Sequence, residues 1–291
     1  MQQSPHRSVL LKEALEALAL REDGIYVDAT FGAGGHSRAI LAALGPLGKL
    51  VAFDVDPSVH ARTDVPSDPR FILIRGNFRH LDAALQFRKL TSVDGVLFDL
   101  GVSSMQLDSA SRGFGFTAAA KSDALLDMRM DSSQGISAAE YIAETSEREL
   151  ANVIHEYGEE RHARKIARAI KRHQPRTTGE VARIVSAAVH VPGRRERIHP
   201  ATRTFQALRI AVNDELGALE DGLEAATRML RPGGRLVAIS FHSLEDRIVK
   251  NKMRSDPRLR PLYKKPLVPT EQERAQNPRS RSAKLRAAER I

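Results

Sequence analysis

A glycine-rich segment beside a carboxylate is the first part of the sequence where chemistry is expected. It runs from Asp28 to His36 and includes Gly32, Gly34 and Gly35. Glycine permits positive φ angles and lets a ligand approach backbone N–H groups at the start of a helix. The segment therefore indicates either a site for a nucleotide-like ligand or an ordinary tight turn.

Asp54 favours the ligand interpretation. It ends the apolar run Leu50–Phe53, twenty residues after Gly34, at a position where a carboxylate can accept hydrogen bonds from both hydroxyls of a ribose. The alternative is a turn residue at the end of a strand, since Pro57 follows closely. Proteins that bind nicotinamide cofactors and proteins that bind S-adenosylmethionine both use such a carboxylate, so Asp54 alone does not distinguish them.

Further features favour S-adenosylmethionine. The glycine run is Gly-x-Gly-Gly and lacks the third glycine of the dinucleotide pattern Gly-x-Gly-x-x-Gly. The turn at residues 231–234 is similar to one in many methyltransferases, and Asn77-Phe78 is placed to flank an adenine. Phe78 is equally expected to lie in the core. A nicotinamide-dependent dehydrogenase is left as a disfavoured alternative.

Short apolar runs alternate with helical patterns in the first hundred residues. The runs are residues 25–27, 50–53, 71–74 and 93–97. Continuous apolar strands separated by helices indicate a parallel sheet covered on both faces. The predicted fold class is therefore α/β with a doubly wound, Rossmann-like sheet, which binds ligands at the carboxyl ends of its strands.

The middle of the chain has a different pattern. Strand signals stop near residue 105 and return only at residues 236–239, while capping-box patterns begin at Ser137, Ser146 and Thr177. We predict a sheet domain of residues 1–105 and 205–291 and an inserted helical domain of residues 106–204. The tail from about residue 255 contains five prolines, so we expect it to be extended or ordered on a partner.

A long apolar stripe follows the predicted insertion. Apolar residues recur at steps of three or four from Phe205 to Leu230. This spacing predicts one amphipathic helix, which Gly217 or Gly222 bends or splits.

The positive charge of the chain is concentrated in two segments. The net charge is +9, from 45 basic and 36 acidic residues. Residues 156–211 and residues 245–291 each carry a surplus of eight positive charges, while residues 1–100 carry a net charge of −1. This clustering indicates either a polyanionic partner or two solvated faces.

The composition excludes several classes of protein. There is no cysteine, which excludes a disulfide framework, a thiolate nucleophile and a zinc site with sulfur ligands. We predict no metal site. The sequence has no run of eighteen apolar residues, so we expect neither a membrane span nor a signal peptide, and a cytoplasmic location.

The fourth apolar run ends in a second candidate for chemistry. Asp99 is followed by Gly101, Ser103 and Ser104, and then by Arg112-Gly-Phe-Gly-Phe116. In a doubly wound sheet, a strand-end carboxylate followed by small hydroxylated residues lies beside the group that reacts.

These segments resemble the ribosomal RNA small subunit methyltransferase H family, as do residues 126–131, 157–161, 199–209 and 240–249. That bacterial family methylates the exocyclic N4 of a cytidine in the decoding region of 16S rRNA. The resemblance extends from Ser8 to about Arg286. It implies a class I methyltransferase fold with a helical insertion, and 16S rRNA in the small subunit or its precursor as partner. It also implies that S-adenosylmethionine contacts Gly34, Gly35, His36, Asp54, Phe78, Asp99 and Gln106.

Cytosine N4 is a poor nucleophile because its lone pair is delocalised into the ring. An enzyme must align this nitrogen with the methyl group and accept a hydrogen bond from its N–H. We hypothesise that the acceptor is Asp99, Ser103 or a neighbouring carbonyl, since all follow the fourth strand.

The target base must also leave its stack. Phe114, Phe116 and Phe241 are candidates to contact it, although each is also a candidate for the core. The residues that we predict to bind RNA are Arg194, Arg195, Arg197, Arg203, Arg209 and His242, with a structural role as the alternative for the histidine.

One loop departs from the family pattern. Gly115 stands where the family usually has serine, and the loop at residues 117–125 is about four residues longer than the family pattern and lacks a turn of that pattern. This difference suggests an alternative function, a non-catalytic ribosome assembly factor that retains the methyltransferase fold. The sequence leaves open whether the chain forms a homodimer.

Overall fold

A computed structural model describes residues 8–102, 106–107, 112–115, 124–189 and 199–291. These residues form two compact units. The first unit is Met1–Val102 with Leu216–Ile291, and the second is Ser103–Glu215. Within the described ranges, no helix is long and apolar enough to cross a membrane.

Seven described strands of the first unit form one sheet. They are β1 Ile25–Asp28, β2 Lys49–Asp54, β3 Phe71–Arg75, β4 Val93–Asp99, β5 Leu230–Ser240, β6 Leu259–Pro261 and β7 Lys284–Arg290. Their order across the sheet is β3-β2-β1-β4-β5-β7-β6. The pairs among the first five are parallel, whereas β7 is antiparallel to both β5 and β6. This arrangement confirms the predicted doubly wound α/β fold.

The described helices are numbered here in chain order. They are α1 Leu11–Leu18, α2 Gly35–Ala43, α3 Pro57–His60, α4 Leu81–Phe87, α5 Ala138–Glu144, α6 Glu147–Gly158, α7 Ala163–His173, α8 Thr178–Val189, α9 Thr202–Asn213, α10 Glu215–Met229, α11 Ser243–Ser255 and α12 Glu271–Gln276. Short 3-10 helices cover Phe78–His80 and Pro278–Ser282.

Side chains alternate along each strand, so every strand contributes residues to both faces of the sheet. Both faces are buried. On one face Phe53 and Phe98 pack in a core with Leu223 of α10. On the other face Leu50 and Leu97 pack in a core that includes residues of α1 and α2. Because β1 pairs parallel with both β2 and β4, the carboxyl ends of these three strands lie at one edge, as expected for a site on such a sheet.

The described part of the second unit is helical. The capping boxes predicted at Ser137 and Ser146 are present at the starts of α5 and α6. At the third predicted cap, the Glu180 N–H donates to Thr177 Oγ1 over 3.3 Å at the start of α8. Helix α7 packs against α6 and α8, and α9 packs against α6.

The apolar stripe from Phe205 to Leu230 forms two helices, α9 and α10, where one was predicted. The break lies at Asp214, which has a left-handed φ of 47° and caps the end of α9. Asparagine and aspartate tolerate this conformation better than other non-glycine residues. Gly217 and Gly222 both lie inside α10, so the predicted break at either glycine is wrong. Helix α9 falls in the second unit, although the sequence placed residue 205 onward with the sheet.

The tail also differs from expectation. Beyond residue 255 the chain forms β6, α12 and β7. Strand β7 pairs with β5 over six residues, from Arg235 opposite Glu289 to Ser240 opposite Lys284. The tail folds because Leu285, Ala287 and Ala288 are buried in the cores beside β5. The prediction of an extended tail was based on its prolines and did not take this apolar pattern into account.

Candidate active site at the carboxyl ends of the strands

The glycine segment connects β1 to α2 and packs closely against its own chain. Gly34 caps α2 with a left-handed φ of 77°, and a Cβ there would lie 2.7 Å from the Phe31 ring. A Cβ on Gly35 would collide with Ser8 Oγ. Both positions therefore require glycine for packing. The turn still presents the N-terminus of α2 at the edge where ligands are expected.

Asp54 ties the glycine segment to the end of β2. Its Oδ2 accepts a hydrogen bond of 2.8 Å from the Gly32 N–H, and its Oδ1 accepts one of 2.9 Å from the Asp56 N–H. Burial raises the pKa of Asp54, and the hydrogen bonds from Asp56 and Gly32 oppose that rise. A carboxylate offers about four acceptor positions, so Asp54 retains capacity for a ligand hydroxyl.

Asp28 is a site residue that the sequence reasoning did not single out. It ends β1, is fully buried, and accepts a hydrogen bond of 2.6 Å from Ser37 Oγ. Burial raises its pKa to about 6. The signal was present, because Asp28 follows an apolar run in the same way as Asp54 and Asp99.

His36 and Asp99 form a pair at the same edge. His36 lies in the first turn of α2, with Nε2 3.2 Å from the Val9 carbonyl oxygen and Nδ1 3.3 Å from Asp99 Oδ2. A carbonyl can only accept, so Nε2 carries a proton and a second proton lies between Nδ1 and the carboxylate. Burial lowers the pKa of His36, but the charge and hydrogen bond of Asp99 outweigh it and raise the pKa overall.

The other oxygen of Asp99 is unused. Oδ1 is buried and accepts no hydrogen bond from the part of the chain that the structure describes. The Asp99 N–H donates to Thr30 Oγ1 over 2.7 Å, which fixes the backbone at the end of β4. A buried acceptor without a donor is unfavourable unless a ligand supplies one. The arrangement therefore holds an acceptor ready for an N–H or O–H group.

The other predicted cofactor residues are placed as follows. Phe78 packs edge-on against Phe98, with ring centroids 5.4 Å apart, and a Cβ on Gly222 would lie 2.6 Å from its ring. These contacts give Phe78 a core role, while its contact with a cofactor stays a prediction. Gln106 is buried in the second unit, and Ser103 lies outside the described residues.

The predicted RNA residues that the structure describes have partners within the protein. Arg209 makes two hydrogen bonds to Glu215, of 2.7 and 2.8 Å. Arg203 Nη1 lies 3.6 Å from Glu160 Oε2. His242 caps α11, since its Nδ1 accepts the Glu245 N–H over 3.4 Å. Arg194, Arg195 and Arg197 lie outside the described residues.

The aromatic candidates are also held by the protein. Phe114 is buried beneath the Arg112 guanidinium, whose carbon lies 5.8 Å from the ring centroid. Phe241 packs against the core on the α1 and α2 face of the sheet. Phe116 lies outside the described residues. Contact of these rings with a base stays a prediction.

Comparison with known proteins decides the family. A match to the MraW methylase family covers residues 3–291. This chain belongs to that family. It is 49% identical over 98% of its length to ribosomal RNA small subunit methyltransferase H of Ralstonia nicotianae, covering 97% of that protein. It is 51% identical over 96% of its length to the protein of that name from Methylococcus capsulatus, covering 99% of it.

The methylase family implies S-adenosylmethionine, and the site fits this cofactor. The cofactor carries an ammonium group and two ribose hydroxyls, all hydrogen-bond donors. Asp99 Oδ1 is a buried acceptor without a donor among the described residues, and Asp54 has unused acceptor capacity. Asp54 and the start of α2 are therefore the parts of the first unit that would hold it, and Asp99 Oδ1 is an acceptor open either to its ammonium group or to the group that is methylated.

Proposed function

We propose that this protein transfers a methyl group from S-adenosylmethionine to N4 of a cytidine in the decoding region of 16S rRNA, in the cytoplasm. The support is twofold. Relatives about half identical over nearly the whole chain are named ribosomal RNA small subunit methyltransferase H. At the end of β4, the buried Oδ1 of Asp99 accepts no hydrogen bond from any described residue, and this observation carries the mechanism.

The bound cofactor would supply a methyl group on a sulfonium. In-line attack of the amine nitrogen on the methyl carbon would break the carbon–sulfur bond, with S-adenosylhomocysteine as the leaving group. The amine loses one proton as the carbon–nitrogen bond forms. Asp99 Oδ1 accepts a hydrogen bond from the target N–H and takes this proton. That hydrogen bond strengthens as the nitrogen becomes positive, so it lowers the barrier more than it strengthens binding.

His36 is a positioning residue in this scheme. Its Nδ1 side faces Asp99 Oδ2 and leaves Oδ1 for the target or the cofactor. Because Nε2 faces the Val9 carbonyl, the ring cannot turn over without losing a hydrogen bond. The imidazole thereby fixes the carboxylate rotamer and balances its charge in a site where an unpaired charge is costly.

The decisive experiment supplies labelled S-adenosylmethionine and small ribosomal subunits from cells that lack this protein. We expect transfer of label to one cytidine of 16S rRNA, located by nuclease digestion and mass spectrometry. Transfer to another base or another RNA would contradict the proposed substrate. Tight RNA binding without transfer would instead support the non-catalytic assembly factor.

A further inference from the structure

Helix α7 of the second unit has one apolar face and one cationic face. The apolar face is buried and consists of Ala163, Ile166, Ala167 and Ile170. The exposed residues include Arg164, Lys165, Arg168 and Arg172, which we call the α7 cationic face. The burial of the apolar face explains why the helix forms, but it does not explain four cations on the other side.

These cations are largely without anionic partners. Arg164, Lys165 and Arg172 have no carboxylate oxygen within 4.0 Å among the residues that the structure describes. Arg168 Nε lies 3.5 Å from Glu147 Oε1, but the two side chains are 78% and 50% exposed. An ion pair this exposed contributes little to stability. The four side chains are therefore available to an external anion.

The position of two of these cations opposes helix stability. Arg164 and Lys165 lie in the first turn of α7, which contains no acidic residue. The N-terminus of a helix carries partial positive charge, so cations there are unfavourable. The nearby Glu160 is already used, because its Oε1 accepts the His162 N–H over 2.8 Å and its Oε2 faces Arg203. Local stability does not account for Arg164 and Lys165.

The spacing suits an extended anion. Arg164, Arg168 and Arg172 follow at steps of four along one side of the helix. Eight residues at the usual helical rise span about 12 Å. Guanidinium groups donate two parallel hydrogen bonds to phosphate oxygens. A row of such donors fits the repeated phosphates of a nucleic-acid backbone better than a single small anion.

We propose that the α7 cationic face binds the phosphate backbone of the RNA substrate. The inference rests on the proposed function, since it assigns a surface that holds that substrate. It also moves the RNA contact away from Arg203 and Arg209, which face carboxylates of their own unit. Phosphate contacts supply affinity and register, without reading base sequence.

The test compares two variants that each lack three positive charges. One is Arg164→Gln with Lys165→Gln and Arg172→Gln. The control is Lys12→Gln with Lys49→Gln and Lys89→Gln, at exposed positions of the first unit. Binding of a transcribed 16S rRNA fragment is measured by fluorescence anisotropy at several salt concentrations. We expect the α7 variant to bind about tenfold more weakly at 0.1 M salt, with a log–log salt slope smaller by about 2.

A further variant, Arg164→Lys with Arg172→Lys, keeps the charge and should bind within about threefold of the wild type. Thermal unfolding verifies that all variants fold. If the triple variant unfolds early, Lys165→Gln alone decides, with an expected decrease in slope of about 1. Binding and slope equal to the control would overturn the proposal.

Methyl transfer by the wild type separates this proposal from the proposed function. If the wild type methylates the RNA and the α7 variant binds like the control, only the surface assignment is wrong. If the wild type binds through α7 without methylating, only the proposed activity is wrong. If the wild type does not bind the fragment at any salt concentration, the surface assignment is wrong, and methyl transfer to small ribosomal subunits decides the proposed activity separately.

Discussion

Residues 245–291 in the first unit and residues 156–211 in the second each carry a surplus of eight positive charges, but parts of these segments differ in how the charges are paired. In residues 245–291, Arg258 lies 2.6 Å from Asp256 and 2.7 Å from Glu224, while Arg286 lies 2.7 Å from Asp246. On α7, Arg164, Lys165 and Arg172 have no carboxylate partner among the residues that the structure describes. Net charge therefore does not identify a binding surface, because pairing within the protein decides which charges remain available.

The tail pairs also explain how the end of the chain is held. Asp246 lies on α11 and both of its partners, Lys284 and Arg286, lie on β7. These bonds join a helix to an antiparallel strand at the side of the sheet. The charges of Lys284 and Arg286 are therefore structural. Asp99 Oδ1 has no hydrogen-bond donor among the described residues, and it is assigned to function together with the α7 cations.

The largest expected effect comes from a change that prevents Asp99 Oδ1 from taking the proton of the target amine. In Asp99→Asn, an amide replaces the carboxylate, and an amide does not take a proton from the target nitrogen. We expect methyl transfer to fall about 10²- to 10³-fold, with binding of S-adenosylhomocysteine, measured by calorimetry, changed less than about tenfold. The exposed change Asp23→Asn is the matched control.

Two results would contradict this role of Asp99. Full activity of Asp99→Asn would show that its carboxylate is dispensable, and loss of S-adenosylhomocysteine binding would assign it to the cofactor. The pairing of His36 with Asp99 can be measured independently of activity. Burial lowers the pKa of His36 and Asp99 raises it by more, so nitrogen NMR should give His36 a higher pKa in the wild type than in the variant.

The next effect tests the structural use of charge in the tail. Asp246→Ala leaves Lys284 and Arg286 without their carboxylate in a mostly buried position. We expect the free energy of unfolding to decrease by about 2 kcal/mol, as measured by urea denaturation. The α7 triple variant should change it by less than about 0.5 kcal/mol. Equal effects of the two changes would remove the distinction between the regions.

Acid unfolding distinguishes the tail carboxylates from Asp28, because their pKa values shift in opposite directions. Burial opposes the shift, but hydrogen bonds from Arg286 and Lys284 lower the pKa of Asp246 below 3.8. Its stabilisation is thus present above the unfolded pKa and is lost as the pH falls through the lower folded value. Burial raises the pKa of Asp28 from 3.8 to about 6. The contribution of Asp28 to the free energy of unfolding therefore decreases as the pH rises from about 4 to 6.

The variant Asp28→Asn should therefore gain stability relative to the wild type over that interval, reaching roughly 1–3 kcal/mol at pH 7. The difference in stability between Asp246→Ala and the wild type should instead disappear only under strongly acidic conditions. Urea denaturation between pH 3 and pH 8 measures both. A constant difference between Asp28→Asn and the wild type across this range would contradict the raised pKa.

The smallest effect tests whether the cation Arg164, which we assign to RNA binding, lowers the stability of α7. Arg164→Glu places an acid in the first turn and four residues before Arg168, so we expect the free energy of unfolding to increase by about 0.5 kcal/mol. Arg172→Glu, in the last turn of the same helix, should decrease it by a similar amount. Both should weaken RNA binding. Destabilisation by Arg164→Glu would show that the cation is structural.

Much of the fold was readable from local patterns. The apolar runs predicted β1 to β4, and serine followed three residues later by glutamate predicted the starts of α5 and α6. These features depend on residues close together in the chain, where periodicity and capping act. The break at Asp214 was missed because the apolar stripe continues through it. A single residue with a left-handed φ does not change the spacing of the apolar residues.

The sequence by itself determined the parallel strands of the sheet, the strand-end carboxylates at positions 54 and 99, and where the positive charge is concentrated. Only the tertiary structure decided which of these charges are paired. His36 meets Asp99 and Asp246 meets Arg286 across 63 and 40 residues of chain. Packing of whole strands and helices sets such distances, and local spacing does not contain them.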